Sequence, residues 1–226
     1  MSAGAVVLLS GGLDSSVLLH YVVNTLAHDP VHALSFNYGQ RHSRELDCAA
    51  YQAGVAGVAS HKCMDIGFMG AFLQAGSALI EGGDAVPDLV ALDVEARTQP
   101  PTYVPNRNMM LLSMAAAYAE TLGISHVYYG AQAQDEYGYW DCTAQFLERM
   151  NGVLALNRKD AVTVYAPFVA RSKAETLRVG LELGVDFAHT WSCYRGLDVA
   201  CGTCPTCIER LHAFRDCAST DPLPYA

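Results

Sequence analysis

The chain has 226 residues, of which 51% are apolar and only 16% charged, with a net charge of -9 and eight cysteines. Soluble domains carry roughly 25% charged residues, so a chain this poor in charge is expected to bury much of itself or to cover its surface with a second copy. Fourteen Lys and Arg against 23 acids leave no basic footprint for nucleic acid over the whole chain, and no apolar run approaches the ~20 residues of a membrane span.

In chain order, Ala5 to Leu9 is a short apolar run ended by Ser10-Gly11-Gly12, which predicts a strand buried on both faces and closed by a turn. Val17, Leu18, Tyr21, Val22 and Leu26 follow at helical spacing. Val31 to Phe36 predicts a second strand, Asn37 to Gln40 a loop, Ser43 to about Val58 a helix and His61 to Ile66 a third strand. From Gly67 to Val104 the pattern fails among Gly82, Gly83, Pro87, Pro100 and Pro101, and a segment of that length predicts a lid or binding loop. Asn108 to Leu122 then reads as a helix buried on most sides, from Met109, Met110, Leu111, Leu112, Met114 and Ala115 to Ala117. Val127 to Tyr129, Thr143 to Leu156, Val162 to Tyr165 and Ser172 to Leu183 alternate strand, helix, strand, helix, and a last helix starts near Thr206.

Repeated strand-loop-helix units predict an α/β fold with a doubly wound parallel sheet, whose ligands bind at the carboxyl ends of the strands. The expected organisation is a nucleotide-binding domain over 1–190 and a small metal-bound C-terminal lobe over 191–226. The first basic residue is Arg41, so a signal peptide is not expected and a cytoplasmic protein is. In that reducing compartment eight cysteines point to metal, catalysis or burial rather than disulfides.

The segment Ser10-Gly11-Gly12-Leu13-Asp14-Ser15-Ser16 sits between the first strand and the first helix. Its glycines let backbone approach a phosphate, while the helix start and three hydroxyls supply donors. It lacks the Gly-Lys-Ser/Thr ending of a P-loop NTPase and the glycine spacing of a dinucleotide fingerprint. It resembles instead the Ser-Gly-Gly-x-Asp-Ser loop of ATP pyrophosphatases, in which the aspartate at the place of Asp14 helps hold magnesium on the phosphates of ATP.

Cys201, Cys204 and Cys207 follow a Cys-x2-Cys-x2-Cys pattern with Cys193 upstream. Four thiolates over fifteen positions can converge on a structural zinc, with an iron-sulfur cluster or unmetallated thiols as alternatives. Cys48, Cys63 and Cys217 read as buried reduced thiols, while Cys142 beside a polar loop stays open.

Further segments accompany these: Phe36 to His42, Val104-Pro105-Asn106-Arg107-Asn108, Gly130 to Cys142, Thr190 to Tyr194, and Arg210 with Asp221-Pro222. Together they resemble the 7-cyano-7-deazaguanine synthase family of the queuosine precursor pathway over nearly the whole chain. The resemblance implies an adenine-nucleotide alpha-hydrolase-like, Rossmann-like sheet with a zinc-binding lobe. It implies conversion of 7-carboxy-7-deazaguanine and free ammonia to the nitrile with two ATP, through acyl-adenylate and amide intermediates. The expected catalytic residues are Asp14, Lys173 and Arg107. ATP is expected at Leu9, Ser10, Gly11, Gly12, Leu13, Asp14, Ser15, Ser16, Tyr38, Gln40 and Arg41, and the deazaguanine at His42, Asn108, Asp135, Tyr139 and Asp141. Cys193, Cys201, Cys204 and Cys207 are the expected zinc ligands, magnesium accompanies ATP, and a homodimer is implied.

Two positions depart from the family pattern. Trp140 stands where proline is usual, adding a large ring expected beside the base pocket, and Asn106 stands where Gly or Ala is common. These departures leave open a relative that transfers the activated acyl group to another amine, such as a protein N-terminus. A tRNA thiolase sharing the phosphate loop and a non-catalytic zinc-binding module are further alternatives.

Overall fold

The computed structural model describes residues 3–41, 44–73, 76–89, 100–133, 138–196 and 198–226. His42, Asp135 and residues 90–99 of the expected lid lie outside them. Five parallel strands form one sheet in the order β3-β2-β1-β4-β5, where β1 is Ala5–Leu8, β2 Val31–Asn37, β3 Ser60–Asp65, β4 His126–Tyr128 and β5 Thr163–Tyr165. The helices are α1 (Leu13–Asn24), α2 (Arg44–Ala56), α3 (Phe68–Leu73), α4 (Arg107–Thr121), α5 (Ala144–Leu154), α6 (Lys173–Glu182) and α7 (Pro205–Asp216).

Alternation along a strand sends successive side chains to opposite faces, and here both faces are covered. Val6, Leu34, Phe36, Val127 and Val164 enter one core, shared with Leu112 and Ala115 of α4 and with Phe146 and Met150 of α5. Ala5, Val7, Val31, Ala33 and Tyr128 enter the other, shared with α1 (Val17, Leu18), α6 (Leu177) and α7 (Phe214). A third, smaller core joins the four-cysteine lobe to Ala78 and Val86. Full burial of a side chain such as Leu18 or Leu112 contributes about 1.5–3 kcal/mol. Among the described residues no helix is long and apolar enough to cross a membrane.

Two expectations need correction. The 67–104 segment is not featureless: it contains α3, Ile80 pairs with Gln40 as an antiparallel bridge, and Leu79 and Ile80 lie in the core. Helix α4 buries one face rather than most, through Leu112, Ala115, Ala116 and Ala119, and leaves Met109 39% exposed. Its alanines line the buried face, while Met110 and Met114 are partly buried against the edge of the same core.

Local signals set the helix starts near the site. Helix α6 opens with a capping box: Ser172 Oγ accepts from the Glu175 N–H, and Glu175 Oε2 accepts from the Ser172 N–H at 2.7 Å. That box places Lys173 at the first helical position. Helix α4 starts after Asn106, whose left-handed backbone (φ 55°) suits asparagine better than most residues. Helix α7 starts after Cys204 with Pro205 at its first position, where a missing N–H costs nothing.

Candidate active site

The chain runs outward from β1 through β2 to β3, then returns to β4 on the other side of β1 and continues to β5. The reversal leaves a crevice beyond the carboxyl ends of β1 and β4, where open α/β sheets bind ligands. A cavity of about 280 Å3 occupies this crevice. The loop after β1 forms one wall and the residues after β4, Tyr129 to Ala131, form another. These walls touch: a Cβ on Gly130 would lie 3.3 Å from the Ser15 nitrogen.

The loop after β1 is held by its own hydroxyls. Ser15 Oγ accepts from the Ser10 N–H at 3.2 Å and lies 2.9 Å from Ser10 Oγ, which accepts from the Gly12 N–H. Gly11 has a positive φ of 84°, and a Cβ there would lie 1.9 Å from the Glu45 carbonyl oxygen of α2. Only glycine fits this crossing. Leu9, Ser10, Gly12, Leu13, Asp14 and Ser15 line the cavity. Gly11 and Ser16 do not; Ser16 is fully buried behind the loop, and its hydroxyl has no hydrogen-bond partner among the described residues.

Lys173 lies at the same wall, buried, with its Nζ 3.4 Å from Asp14 Oδ2 and 3.3 Å from Glu209 Oε2. The second Asp14 oxygen, Oδ1, is buried without a hydrogen-bond partner among the described residues. Such an oxygen, with more acceptor capacity than the protein uses, suits a hard cation like magnesium. Across the cavity, Arg107 donates from Nη1 to the Tyr38 hydroxyl at 3.4 Å. Burial opposes the Arg107 charge, but Tyr38, Tyr194 and Cys142 outweigh it and hold the guanidinium above the ordinary arginine value. Burial likewise pushes the Tyr38 phenol up, with Arg107 opposing. The cavity thus offers a fixed cation at each end and backbone N–H groups between them.

Of the residues expected at the deazaguanine, Asn108 and Tyr139 line the cavity, and Tyr139 pairs with Thr102 Oγ1 at 2.7 Å. Asp141 is not on the cavity wall. It is buried beneath α4, where its Oδ2 accepts from the Asn108 N–H at 3.1 Å and satisfies the helix start. Burial raises its carboxyl above the usual carboxylate range, with that N–H and Arg107 opposing. Gln40 and Arg41 are also turned away. Gln40 accepts from the Tyr38 N–H and donates to Glu45 Oε1 and the Phe36 carbonyl. Arg41 donates to the carbonyls of Ala78, Gly83 and Asp84 and so clamps the 76–84 segment. Trp140 does not stand in the pocket: it is 46% exposed, donates to the Tyr103 hydroxyl at 2.8 Å and packs edge-on against Phe146.

Sequence reasoning missed Glu45, Trp191, Tyr194 and Glu209, all of which line the cavity. Trp191 and Tyr194 flank Ser192 and Cys193 of a segment already singled out, and Glu209 lies two residues beyond a cysteine ligand candidate.

Behind this wall, the sulfurs of Cys193, Cys201, Cys204 and Cys207 lie within 4.8 Å of one another. The Cys201 N–H points to Cys193 Sγ at 3.4 Å and the Cys204 N–H to Cys201 Sγ at 3.3 Å, bonds that stabilise thiolates. Hydrogen bonding within the set drives Cys204 well below the ordinary thiol range and holds Cys193 up at about 11. Tetrahedral zinc-sulfur bonds of about 2.3 Å put sulfurs about 3.8 Å apart, and Cys201 and Cys207 are 3.9 Å apart here. The set can hold a single metal ion. The other thiols divide differently from expectation: Cys142 is buried in the cavity wall, Cys48 and Cys217 are half-buried, and Cys63 is exposed because β3 is an edge strand.

A family model described as queuosine biosynthesis protein QueC matches residues 4–218. The chain belongs to this family. Among its relatives, the 7-cyano-7-deazaguanine synthase of Marinobacter nauticus is 44% identical over 227 residues, covering 100% of this chain and 98% of that one. The 7-cyano-7-deazaguanine synthase of Alteromonas mediterranea is 44% identical over 225 residues, covering both chains completely at 100%. Among solved structures, the NMN synthetase of Francisella tularensis superposes with a TM-score of 0.54 at 13% identity, covering 97% of this chain and 79% of that one. That likeness confirms the doubly wound sheet expected from the sequence. As a member of the QueC family the chain is a synthase.

Proposed function

We propose that this chain converts 7-carboxy-7-deazaguanine and ammonia to 7-cyano-7-deazaguanine, consuming two ATP and releasing AMP and pyrophosphate twice. One observation carries the reading. The phosphate loop, Lys173 and Arg107 converge on one crevice in a chain 44% identical, end to end, to synthases of that name.

A carboxylate resists ammonia because oxide is a hopeless leaving group. Its oxygen attacks the α-phosphorus of ATP, breaking the bond to pyrophosphate and forming an acyl adenylate. Ammonia then adds to the acyl carbon, AMP leaves and a proton is lost, giving the amide. A second adenylation on the amide oxygen, followed by loss of AMP and of the remaining N–H protons, gives the nitrile. Such a site has chiefly to align reactants and neutralise charge.

The N–H groups at the start of α1 and the hydroxyls of Ser10 and Ser15 receive phosphate oxygens. Lys173 exchanges carboxylate partners for the departing pyrophosphate, and Arg107 neutralises charge at the opposite end. Magnesium, held by Asp14, would supply charge neutralisation on the phosphates. Asn108 and Tyr139 border the deazaguanine, with Asp141 setting the position of Asn108 from below. His42 and Asp135 belong to the same proposed contacts.

Zinc at the four cysteines would be structural, since four thiolates leave no position for water. Sulfurs this close favour one ion over an iron-sulfur cluster, whose bridging sulfides and several irons need a wider cage. The reading also includes a division into a nucleotide domain over 1–190 and a metal lobe over 191–226, a cytoplasmic location and a homodimer. Met64 and Phe68, the latter 72% exposed, are apolar side chains such a dimer would cover.

The test is incubation with 7-carboxy-7-deazaguanine, magnesium-ATP and ammonium, read by mass spectrometry. Nitrile with two AMP per product supports the proposal. Arrest at the amide, or an adduct on a protein amine, overturns it.

A further inference from the structure

Trp191 connects two parts of the molecule that the proposed function treats separately. Its backbone N–H donates to the Gly11 carbonyl of the phosphate loop at 2.9 Å. Its carbonyl oxygen borders the same loop, 3.6 Å from where a Cβ on Gly12 would stand. In the other direction, its indole N–H donates to the carbonyl of Cys193, one of the four clustered cysteines, at 3.1 Å. The ring is 1% exposed, and the Arg44 guanidinium of α2 lies 4.4 Å from its centroid.

Residues on either side of it are held just as firmly. Buried Arg210 of α7 donates to Thr190 Oγ1 at 2.7 Å and to Ser192 Oγ at 3.3 Å, and is itself fixed by both Asp221 oxygens. A second link runs in parallel. Glu209, two residues after Cys207 on α7, meets the Lys173 ammonium that also pairs with Asp14. A change at the four sulfurs therefore has two short, rigid routes to the phosphate loop, and Trp191 is the shorter.

We propose that Trp191 is a positioning residue that couples occupation of the four-cysteine site to the shape of the phosphate loop, so that metal and nucleotide strengthen each other's binding. The inference rests on the reading that Ser10 to Ser16 binds ATP. With a metal bound, the four sulfurs are pinned at one centre and the Cys193 peptide with them. The indole hydrogen bond then holds Trp191, and Trp191 holds the carbonyl of Gly11 and the turn that presents the N–H groups of α1. Without the metal the Cys193 peptide is freed and the loop loses the support that reaches it through Trp191, keeping those from Glu45 of α2 and from Lys173. Coupling of this kind is reciprocal: whatever factor the metal adds to nucleotide affinity, the nucleotide adds to metal affinity.

The experiment uses the full chain loaded with zinc. Zinc transfer to a chromophoric chelator is followed with and without α,β-methylene ATP, whose α–β bond the enzyme cannot break, and the analogue's affinity is measured by calorimetry. Saturating analogue is expected to tighten apparent zinc affinity about tenfold. In Trp191→Phe, which keeps the backbone N–H but lacks the indole donor, the ratio is expected to fall at least about threefold, to what the Glu209–Lys173 link alone carries, while zinc still binds stoichiometrically.

A wild-type ratio of one with analogue bound, or an undiminished ratio in Trp191→Phe, overturns the inference. Failure of the zinc-loaded wild type to bind the analogue at all overturns the nucleotide reading instead, and this one with it. Should Trp191→Phe not fold, Trp140→Phe leaves Trp191 as the sole tryptophan of the two. Its fluorescence must then respond both to chelation and to the analogue, and silence to either overturns the proposal.

Discussion

The loops after β1 and β2 leave neighbouring parallel strands at the same edge of the sheet, and both carry polar residues expected to meet ATP. Their structures part company. The β1 loop bonds to itself and turns its donors and Asp14 into the cavity. The β2 loop sends Gln40 under Tyr38 and Glu45 and spends all the Arg41 contacts on backbone carbonyls of the 76–84 segment. Among the described residues of that loop, only Tyr38 lines the cavity. Position at the carboxyl edge therefore admits two roles, and what separates them is where the hydrogen bonds end: on the loop itself, leaving donors for a ligand, or on another segment, leaving none.

Asp14→Ala gives the largest expected effect on this contrast. Pyrophosphate release falls about 100- to 1,000-fold, the loss typical of one preorganised charge-stabilising group, while the melting temperature falls by only a few degrees, because Lys173 loses Asp14 Oδ2 but keeps Glu209 Oε2. A large drop in melting temperature with activity retained would give the β1 loop the architectural role. Cys204→Ala is next: zinc stoichiometry falls to zero and the melting temperature drops by about 10 °C as the C-terminal lobe loosens. A fully folded, active Cys204→Ala would remove the structural-metal assignment.

Gln40→Ala sharpens the comparison from the other side. It strands the buried Tyr38 N–H and removes one donor from the Glu45 carboxylate, at a cost of about 1–3 kcal/mol. The melting temperature should fall by several degrees, with turnover per folded molecule within about threefold of wild type. Abolished turnover at an unchanged melting temperature would mean that the two loops share a role after all.

The smallest effect concerns Asp186, which accepts from the Tyr51 hydroxyl of α2 at 2.9 Å, away from either loop's donors. Burial raises its carboxyl, but bonds from Tyr51, His189 and the Ala188 N–H outweigh this and leave it below the usual range. A depressed carboxylate stabilises above its unfolded value of about 3.9, and that contribution disappears as pH falls through the lower native value. The melting temperatures of wild type and Asp186→Asn should therefore differ slightly near pH 7 and converge as pH falls below the unfolded value of about 3.9. A gap that widens in acid would reverse the sign.

Every strand and most helices were legible because buried parallel strands read as short apolar runs and helices as 3.6-residue repeats. Boundaries moved by only a few residues, as for β4 at His126–Tyr128 against the expected Val127 to Tyr129. Helix α3 escaped notice because its six residues are too few to show a period. In the site, the phosphate loop and the cysteines were legible because each is contiguous and its chemistry demands its spacing. Gln40 and Arg41 are expected at the ligand because they follow a strand end, and Asp141 because a carboxylate in a family segment can accept from the deazaguanine, yet sequence does not reveal that a helix start or a distant carbonyl satisfies them first. Glu209 and Trp191 were missed for the opposite reason: they arrive from the far end of the chain, carried by the four-cysteine segment, whose direction no local pattern encodes.

Gly11 bears on any attempt to transplant this phosphate loop. Its missing side chain makes room for the Glu45 carbonyl of α2 rather than for a ligand, so the motif's second residue is a fitting between two parts of the scaffold. A designer who moved Ser10 to Ser16 into another sheet would transfer the donors without the surface that shapes them. The portable unit is the loop together with the first turn of the neighbouring helix, two stretches whose touching residues, Gly11 and Glu45, are 34 positions apart in sequence.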